Sequence, residues 1–440
     1  MKKLFFVFIA LFAIGSCQKA LVTEQRNNTT ASFAITNDVI RSINDFYEDI
    51  TPNTKSYHRQ PKILSISQIG KPSVKSSEYD NLPSYLVNFT NDDGFAIVAI
   101  TGNGPCVLAF TESGNLDGSK LFNSAEHFDC EEEQFYYSFL ENLLATSQLE
   151  QAICKQPPIT KAQEEVNVWY TDSIVYPLVH IKWGQEYPFN MSMPTVPSTL
   201  NGFGPTSPYR CRHAVGCVII AAMQIAVATE HPYSFTVNNQ SIDSYLFSDI
   251  SFYGNYSQYD FDNYDSSVSD YMKAKTENLA DLLYQFGVMI GATPQSNGMT
   301  SAYSINAMNY LDYLDHTRYG SMDLVDCPNG IYAYRPAIFA ALDEGKPLIV
   351  DGWDQIFPNY YVGHTWVIDG YMAQHKTGND NDIYVRKLVH FNWGWHGKYD
   401  GYYHNSAVGD RDYVDSSFDP DPTPASSIYT FNFNTQCYTY

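Results

Sequence analysis

The sequence is short of positive charge. Lys and Arg number 26 against 48 Asp and Glu, a formal net charge of −22 over 440 residues. Such a chain repels a phosphate backbone, which argues against a nucleic-acid partner. Charge of either sign is scarce, at 17% of residues, while Tyr (35) and Phe (26) are plentiful. An acidic disordered chain has the opposite balance, so this one folds. Beyond the N-terminus no apolar run approaches the roughly 18 residues of a membrane span. There is no HExxH pair, no GxSxG elbow, no P-loop and no internal repeat, which removes the commonest metalloprotease, serine-hydrolase and phosphoryl-transfer layouts. Acidic pairs at Asp380/Asp382 and Asp419/Asp421 are compatible with calcium or with simple solvation, and no cofactor is expected.

What is present starts with MKKLFFVFIALFAIGSCQKA. Two lysines precede an apolar core, Leu4 to Ile14, too short for a comfortable span and suited to a secretory signal. Ile14-Gly15-Ser16-Cys17 has the form of a bacterial lipobox, in which the cysteine becomes an acylated N-terminus. Residues 1–17 are therefore expected to be a lipoprotein signal peptide with Cys17 as the lipidation site. The product would be extracytoplasmic, held to the (outer) membrane through its lipid or released after processing. An ordinary cleaved signal with an incidental cysteine is the plainer reading. Of eight cysteines, seven remain without Cys17. An odd number in a disulfide-permissive compartment leaves at least one unpaired.

Two units follow. The first is predicted to hold an amphipathic helix around Ile35–Ile50, strands at 84–90, 94–100 and 106–112 separated by Gly-containing turns, and a helix from Ser124 to about Leu149. KQPPITKAQEE (155–165) reads as an exposed linker that either stays intact or is cut. The boundaries drawn on this basis are 18–160 and 161–440. In the second unit Val218–Ala228 is apolar all round, the mark of a buried helix, and His231-Pro232 should end it. Further helices are expected over Tyr271–Ile290, Tyr303–Leu314 and 335–345, then strands at 348–353, 364–371 and 383–395. Asp-Gly pairs at 351–352, 369–370 and 400–401 read as turns. Helices first and strands afterwards indicate an α+β fold.

Cys217 stands at the mouth of the buried helix. A sulfur at a helix N-terminus is stabilised as thiolate, and Gly216 before it allows a sharp turn and close substrate approach. Taken alone, Gly-Cys before an apolar run fits core packing as well. A thiolate needs an imidazole partner, and His364, after Gly363 in YVGHTWVIDGY, follows by 147 residues, near the spacing of papain-like proteases. A histidine merely capping a strand is the plainer alternative. Asn392 in HFNWGWHG is placed to orient that imidazole, with Trp393 and Trp395 shielding the bond, unless this is only an aromatic hairpin. Gln185 in KWGQEYPFN is a candidate oxyanion donor together with the Cys217 N–H.

The ordered set Gln–Cys–His–Asn, with WGQEYPFN, HAVGCVIIAAMQI, GHTWVIDGY and HFNWGWHGKYDGYY, resembles the streptopain family of secreted bacterial papain-like cysteine peptidases. The resemblance implies a two-lobed peptidase, a helical lobe plus an antiparallel β lobe, preceded by a small α+β inhibitory propeptide. It implies a Cys217/His364 dyad assisted by Asn392 and Gln185, a cleft bordered by Gly216, Gly363, Trp393, Trp395, Gly298 and Ser301, and a protein or peptide substrate. A hydrophobic side chain two positions before the cut is the family's tendency. Three features depart from the pattern: Thr365 where alanine is usual, His396 in place of a glycine, and a glycine- and serine-rich wall reduced to SNGMTSAY (296–303). Other acyl transfer on the same groups (amidase or transamidase), or an inactive surface binding lipoprotein, are the alternatives.

Overall fold

The computed structural model describes residues 36–51, 60–69, 83–101, 104–122, 131–153, 155–156, 168–196, 212–250, 266–314, 324–325, 335–357, 360–377, 383–404 and 437–438. The signal peptide, Cys17 and both acidic pairs lie outside them.

The first unit forms helix α1 (36–50), strands β1 (Ile63–Ile69), β2 (Ser84–Phe89), β3 (Phe95–Thr101) and β4 (Gly104–Thr111), and helix α2 (Glu131–Ile153). Then come β5 (Lys155–Gln156), β6 (Tyr170–Val175), α3 (Cys217–Thr229), the hairpin β7 (Ser234–Val237) and β8 (Gln240–Asp243), and α4 (Asp270–Met289). The short hairpin β9 (Thr293–Pro294) and β10 (Thr300–Ser301), α5 (Ser304–Leu314), β11 (Leu324–Val325) and α6 (Arg335–Asp343) lead to the long strands β12 (Leu348–Phe357), β13 (Tyr360–Thr377) and β14 (Ile383–Asn392). The chain closes with β15 (Gly401–His404) and β16 (Cys437–Tyr438). The fold is α+β, as expected.

One antiparallel sheet of 12 strands runs through both units, ten of them in the order β1-β2-β3-β4-β15-β14-β13-β12-β16-β11, with β5 paired to β14 and β6 to β13 off that path. The join is made by β4 and β15, with Gly401 opposite Thr111 and Tyr402 opposite Phe110. Alternation along β13 decides what each face carries. Trp366 and Ile368 enter a core with α2 and α6, while Val367 enters a second core with α3, α4 and α5. A third core sits under α1, where Val39, Ile43 and Phe46 meet Val87, Phe89 and Met372. Helix α3 is buried throughout from Val218 to Val227, as its uniform apolarity required. Each large aliphatic side chain so placed contributes about 1.5–3 kcal/mol.

Two of the expected turns are not turns. Asp351-Gly352 lies within β12, opposite Thr365 and His364, and Asp369-Gly370 lies within β13 at a register shift. Both carboxylates have tertiary partners that outweigh local turn preference. Asp369 accepts the Val179 N–H at 3.0 Å and His390 Nδ1 at 2.6 Å. Gly370 is required there because a Cβ would sit 2.7 Å from the Val175 carbonyl oxygen.

Candidate active site

Helix α3 opens on Cys217, a free thiol that is partly exposed. Its N-cap is Gly216, at φ 102°, a region that disfavours any side chain. A Cβ at 216 would also lie 2.8 Å from the Thr300 carbonyl oxygen. That crowding exists because the 298–300 segment clamps the approach to the helix. Ala214 N–H donates to the Gly298 carbonyl at 2.9 Å, and Thr300 Oγ1 donates to the Ala214 carbonyl at 2.6 Å. On the other side, Val215 N–H donates to the Gln185 carbonyl at 2.8 Å. Gln185 is therefore held two residues from Cys217. Its side chain is 1% exposed, and neither amide atom has a partner. A buried amide without a partner is costly.

Burial pushes the Cys217 thiol up to about 11, against hydrogen bonds from the Thr365 N–H and hydroxyl, while the charge of Asp351 pushes the same way as burial. The helix dipole alone does not make this sulfur a thiolate. Behind it, Asp351 Oδ1 accepts from Thr365 Oγ1 at 2.7 Å and from Ser304 Oγ at 2.6 Å.

His364 is on the opposite face of β13. Its ring stacks on Trp395 at 4.6 Å and meets Phe135 of α2 at 5.7 Å. Nε2 lies 2.8 Å from the Trp393 carbonyl oxygen. A carbonyl only accepts, so Nε2 carries the hydrogen. Burial lowers the imidazole to about 4, against the Trp393 hydrogen bond and the Glu186 charge. It is neutral here. Among the described residues no hydrogen bond joins Cys217 to His364. The sulfur instead meets Thr365, the next residue along the strand.

Asn392 is near, but its amide is used elsewhere. It donates to the Ile181 carbonyl at 2.8 Å and accepts from Gly394 N–H at 3.1 Å. The contact expected from its side chain comes from the carbonyl of Trp393, which no side-chain pattern in the sequence announces. Trp393 is fully buried, with its N–H given to Asp400 Oδ1 at 2.9 Å and its ring parallel to Trp395 at 5.2 Å. Trp395 Nε1 is buried without a partner. Gly363 is exposed beside His364. Gly298 holds φ 89°, and Ser301 Oγ accepts from Gln295 Nε2 at 2.8 Å across the β9–β10 hairpin. His396 packs its ring on Gly184, where a Cβ would come within 2.1 Å, and its Nε2 is 3.5 Å from Glu186 Oε2. Sequence reasoning missed Glu186, Asp351 and Ser304; Asp351 sits in an Asp-Gly pair that reads as a turn. Among the described residues no cluster of His, Cys, Asp and Glu would hold a metal ion.

A free thiol opening a buried helix, with Gln185 bonded to the approach to that helix, suits a cysteine peptidase. The chain belongs to the Peptidase C10 family: the family model matches residues 183–403, just over half of the chain, and spans Gln185, Cys217, His364 and Asn392. It is similar to streptopain of Streptococcus pyogenes, 23% identical over 345 residues that cover 74% of each chain. The streptopain of S. pyogenes serotype M1 is likewise 23% identical, over 342 residues. Among solved structures, prointerpain A of Prevotella intermedia superposes with a TM-score of 0.48 at 19% identity, covering 85% of this chain and 98% of the other. Active interpain A of the same organism gives 0.35 at 22% identity, covering 61% and 95%.

Proposed function

We propose that the protein is a cysteine endopeptidase made as a zymogen, with Cys217 as nucleophile and His364 as its acid–base partner. The observation that carries this reading is a free thiol at the start of α3, with Gln185 bonded through its backbone to Val215 just before it and its own amide buried without a partner. In the active form the Cys217 sulfur bonds to a peptide carbonyl carbon. The oxygen takes the negative charge and receives hydrogen bonds from the Gln185 amide and the Cys217 N–H. His364, having taken the thiol proton, gives it to the leaving amine as the C–N bond breaks. It then removes a proton from the water that releases the acyl group. The Trp393 carbonyl orients the imidazole, and Asn392 braces the turn that presents that carbonyl.

Residues 18–160 act as an intramolecular inhibitor in this reading. Phe135 of α2 occupies the space beside His364 and favours the imidazole's position on the wrong face of β13. Because Thr365 already touches the sulfur, a local rearrangement at the start of β13 is enough to exchange the two. Cleavage within 155–165 would loosen α2 at its C-terminal end while β4 and β15 still hold the first unit in place. Peptide or protein is the substrate class, and the cleft runs past Gly216, Gly363, Trp395, Gly298 and Ser301. Extracytoplasmic placement with Cys17 as a lipid anchor completes the proposal. Among the described residues no helix is long and apolar enough to cross a membrane.

The deciding experiment incubates wild type beside Cys217→Ala, reads the fragments by mass spectrometry, and assays casein and a peptidoglycan digest in parallel. Wild type should cut itself near 155–165 and hydrolyse casein, whereas Cys217→Ala should do neither. Gln185→Ala should lose about 10²-fold or more in turnover. Hydrolysis retained by Cys217→Ala would remove it as nucleophile, and turnover of peptidoglycan alone would favour an amidase.

A further inference from the structure

The Cys217 sulfur is backed by a half-buried carboxylate that the reaction above does not use. Asp351 Oδ1, on β12, receives the Ser304 hydroxyl from α5 and the Thr365 hydroxyl from β13, at 2.6 and 2.7 Å. Thr365 in turn touches the Cys217 sulfur through both its N–H and its hydroxyl. We infer that Asp351, acting through Thr365, sets the protonation state of the Cys217 thiol, as a positioning residue behind the nucleophile.

A single hydrogen decides the coupling. A threonine hydroxyl has one to donate. An ionised carboxylate is a stronger acceptor than a neutral thiol, so that hydrogen goes to Asp351. The help that the hydroxyl gives S⁻ by facing it with a hydrogen is then withheld. The Asp351 charge acts in the same direction through its field. Neutralising Asp351 reverses both effects, since the Thr365 hydrogen is free to turn to the sulfur and the nearby charge is gone. The polar groups that face Asp351 are Thr365 from β13, Ser304 from α5 and Cys217 from α3, and among the described residues no cation pairs with it. Burial holds its carboxyl above the usual carboxylate range, so mild acid begins the same neutralisation.

This inference rests on Cys217 being the nucleophile, which the hydrolysis assay of Cys217→Ala tests separately. Its own test is the thiolate absorbance of the full-length chain near 240 nm, titrated with pH and corrected by subtracting the Cys217→Ala protein. Asp351→Asn should lower the Cys217 midpoint by about one pH unit or more, a tenfold gain in thiolate below it. The drop should shrink when Thr365→Val is added, and Thr365→Ser should titrate as wild type. An unchanged midpoint in Asp351→Asn overturns the inference, as does a drop of equal size with and without the Thr365 hydroxyl. If Asp351→Asn does not fold, Ser304→Ala carries the test. With one donor removed, Asp351 holds the Thr365 hydrogen more tightly and the midpoint should rise, so an unchanged or lower value also overturns it.

Discussion

His364 and Thr365 are neighbours in the chain and face opposite sides of one strand, and that parity governs the site. The imidazole in its aromatic setting is neutral, lowered to about 4 by burial, whereas in the unfolded chain it titrates near 6.5. Between those values the unfolded chain binds more protons. The stability that His364 contributes is therefore whole above pH 6.5, falls as pH drops toward 4, and amounts to about 3 kcal/mol at most. In a Cys217→Ala background, which prevents self-cutting, His364→Phe should keep the stacking and remove this acid sensitivity. Denaturant melts at pH 7 and pH 4.5 read it directly. Equal acid losses in the two proteins would mean that His364 is not buried neutral.

At the scale of elements, α2 packs against the strands that carry His364 and Trp393. Phe135 lies within 6.4 Å of His364, Trp366 and Trp393, ring centre to ring centre, while Tyr136 stacks on Tyr399 at 4.2 Å. Phe135→Ala should cost about 3–5 kcal/mol through the cavity it leaves. If the chain is the proposed zymogen, it should also speed self-processing, because the imidazole loses a ring packed against it. Both follow from one sample, by denaturant melt and by gel time course. A folded variant that processes no faster than wild type would separate α2 from latency.

For the whole molecule, the continuous sheet makes the two units interdependent. Glu112, just past β4, meets Lys182 at 3.0 Å and His390 at 3.4 Å, and His390 is also 2.6 Å from Asp369. Although burial opposes it, Asp369 and Glu112 hold His390 up at about 10, and the same contacts keep Glu112 well below its usual range. This network and the β4–β15 pairing should keep the units together after the linker is cut. Gel filtration of protein nicked in 155–165 is expected to show one peak. Glu112→Gln should weaken the association by about 2 kcal/mol and let the first unit elute separately at low concentration. Co-elution unaffected by the substitution would assign the cohesion to the sheet alone.

The α+β class, the buried helix behind Cys217, the helices at Asp270–Met289 and Ser304–Leu314 and the strands carrying His364 and Asn392 were legible in the sequence. Each is written in local signals: a uniform apolar run, a capping residue, a glycine where the chain must turn. What only the tertiary structure decided is which face each strand residue takes and which groups it meets there. A shift of one residue along β13 exchanges His364 for Thr365 at the sulfur, and no nearby pattern records that choice. Asp351 and Asp369 show the same limit. Both sit in Asp-Gly pairs that read as turns, and both are kept in strands by partners from other elements, Ser304 and Thr365 for one, Val179 and His390 for the other. Local preference is worth a fraction of a kcal/mol, and a buried carboxylate left unpaired costs several, so distant partners determine its place.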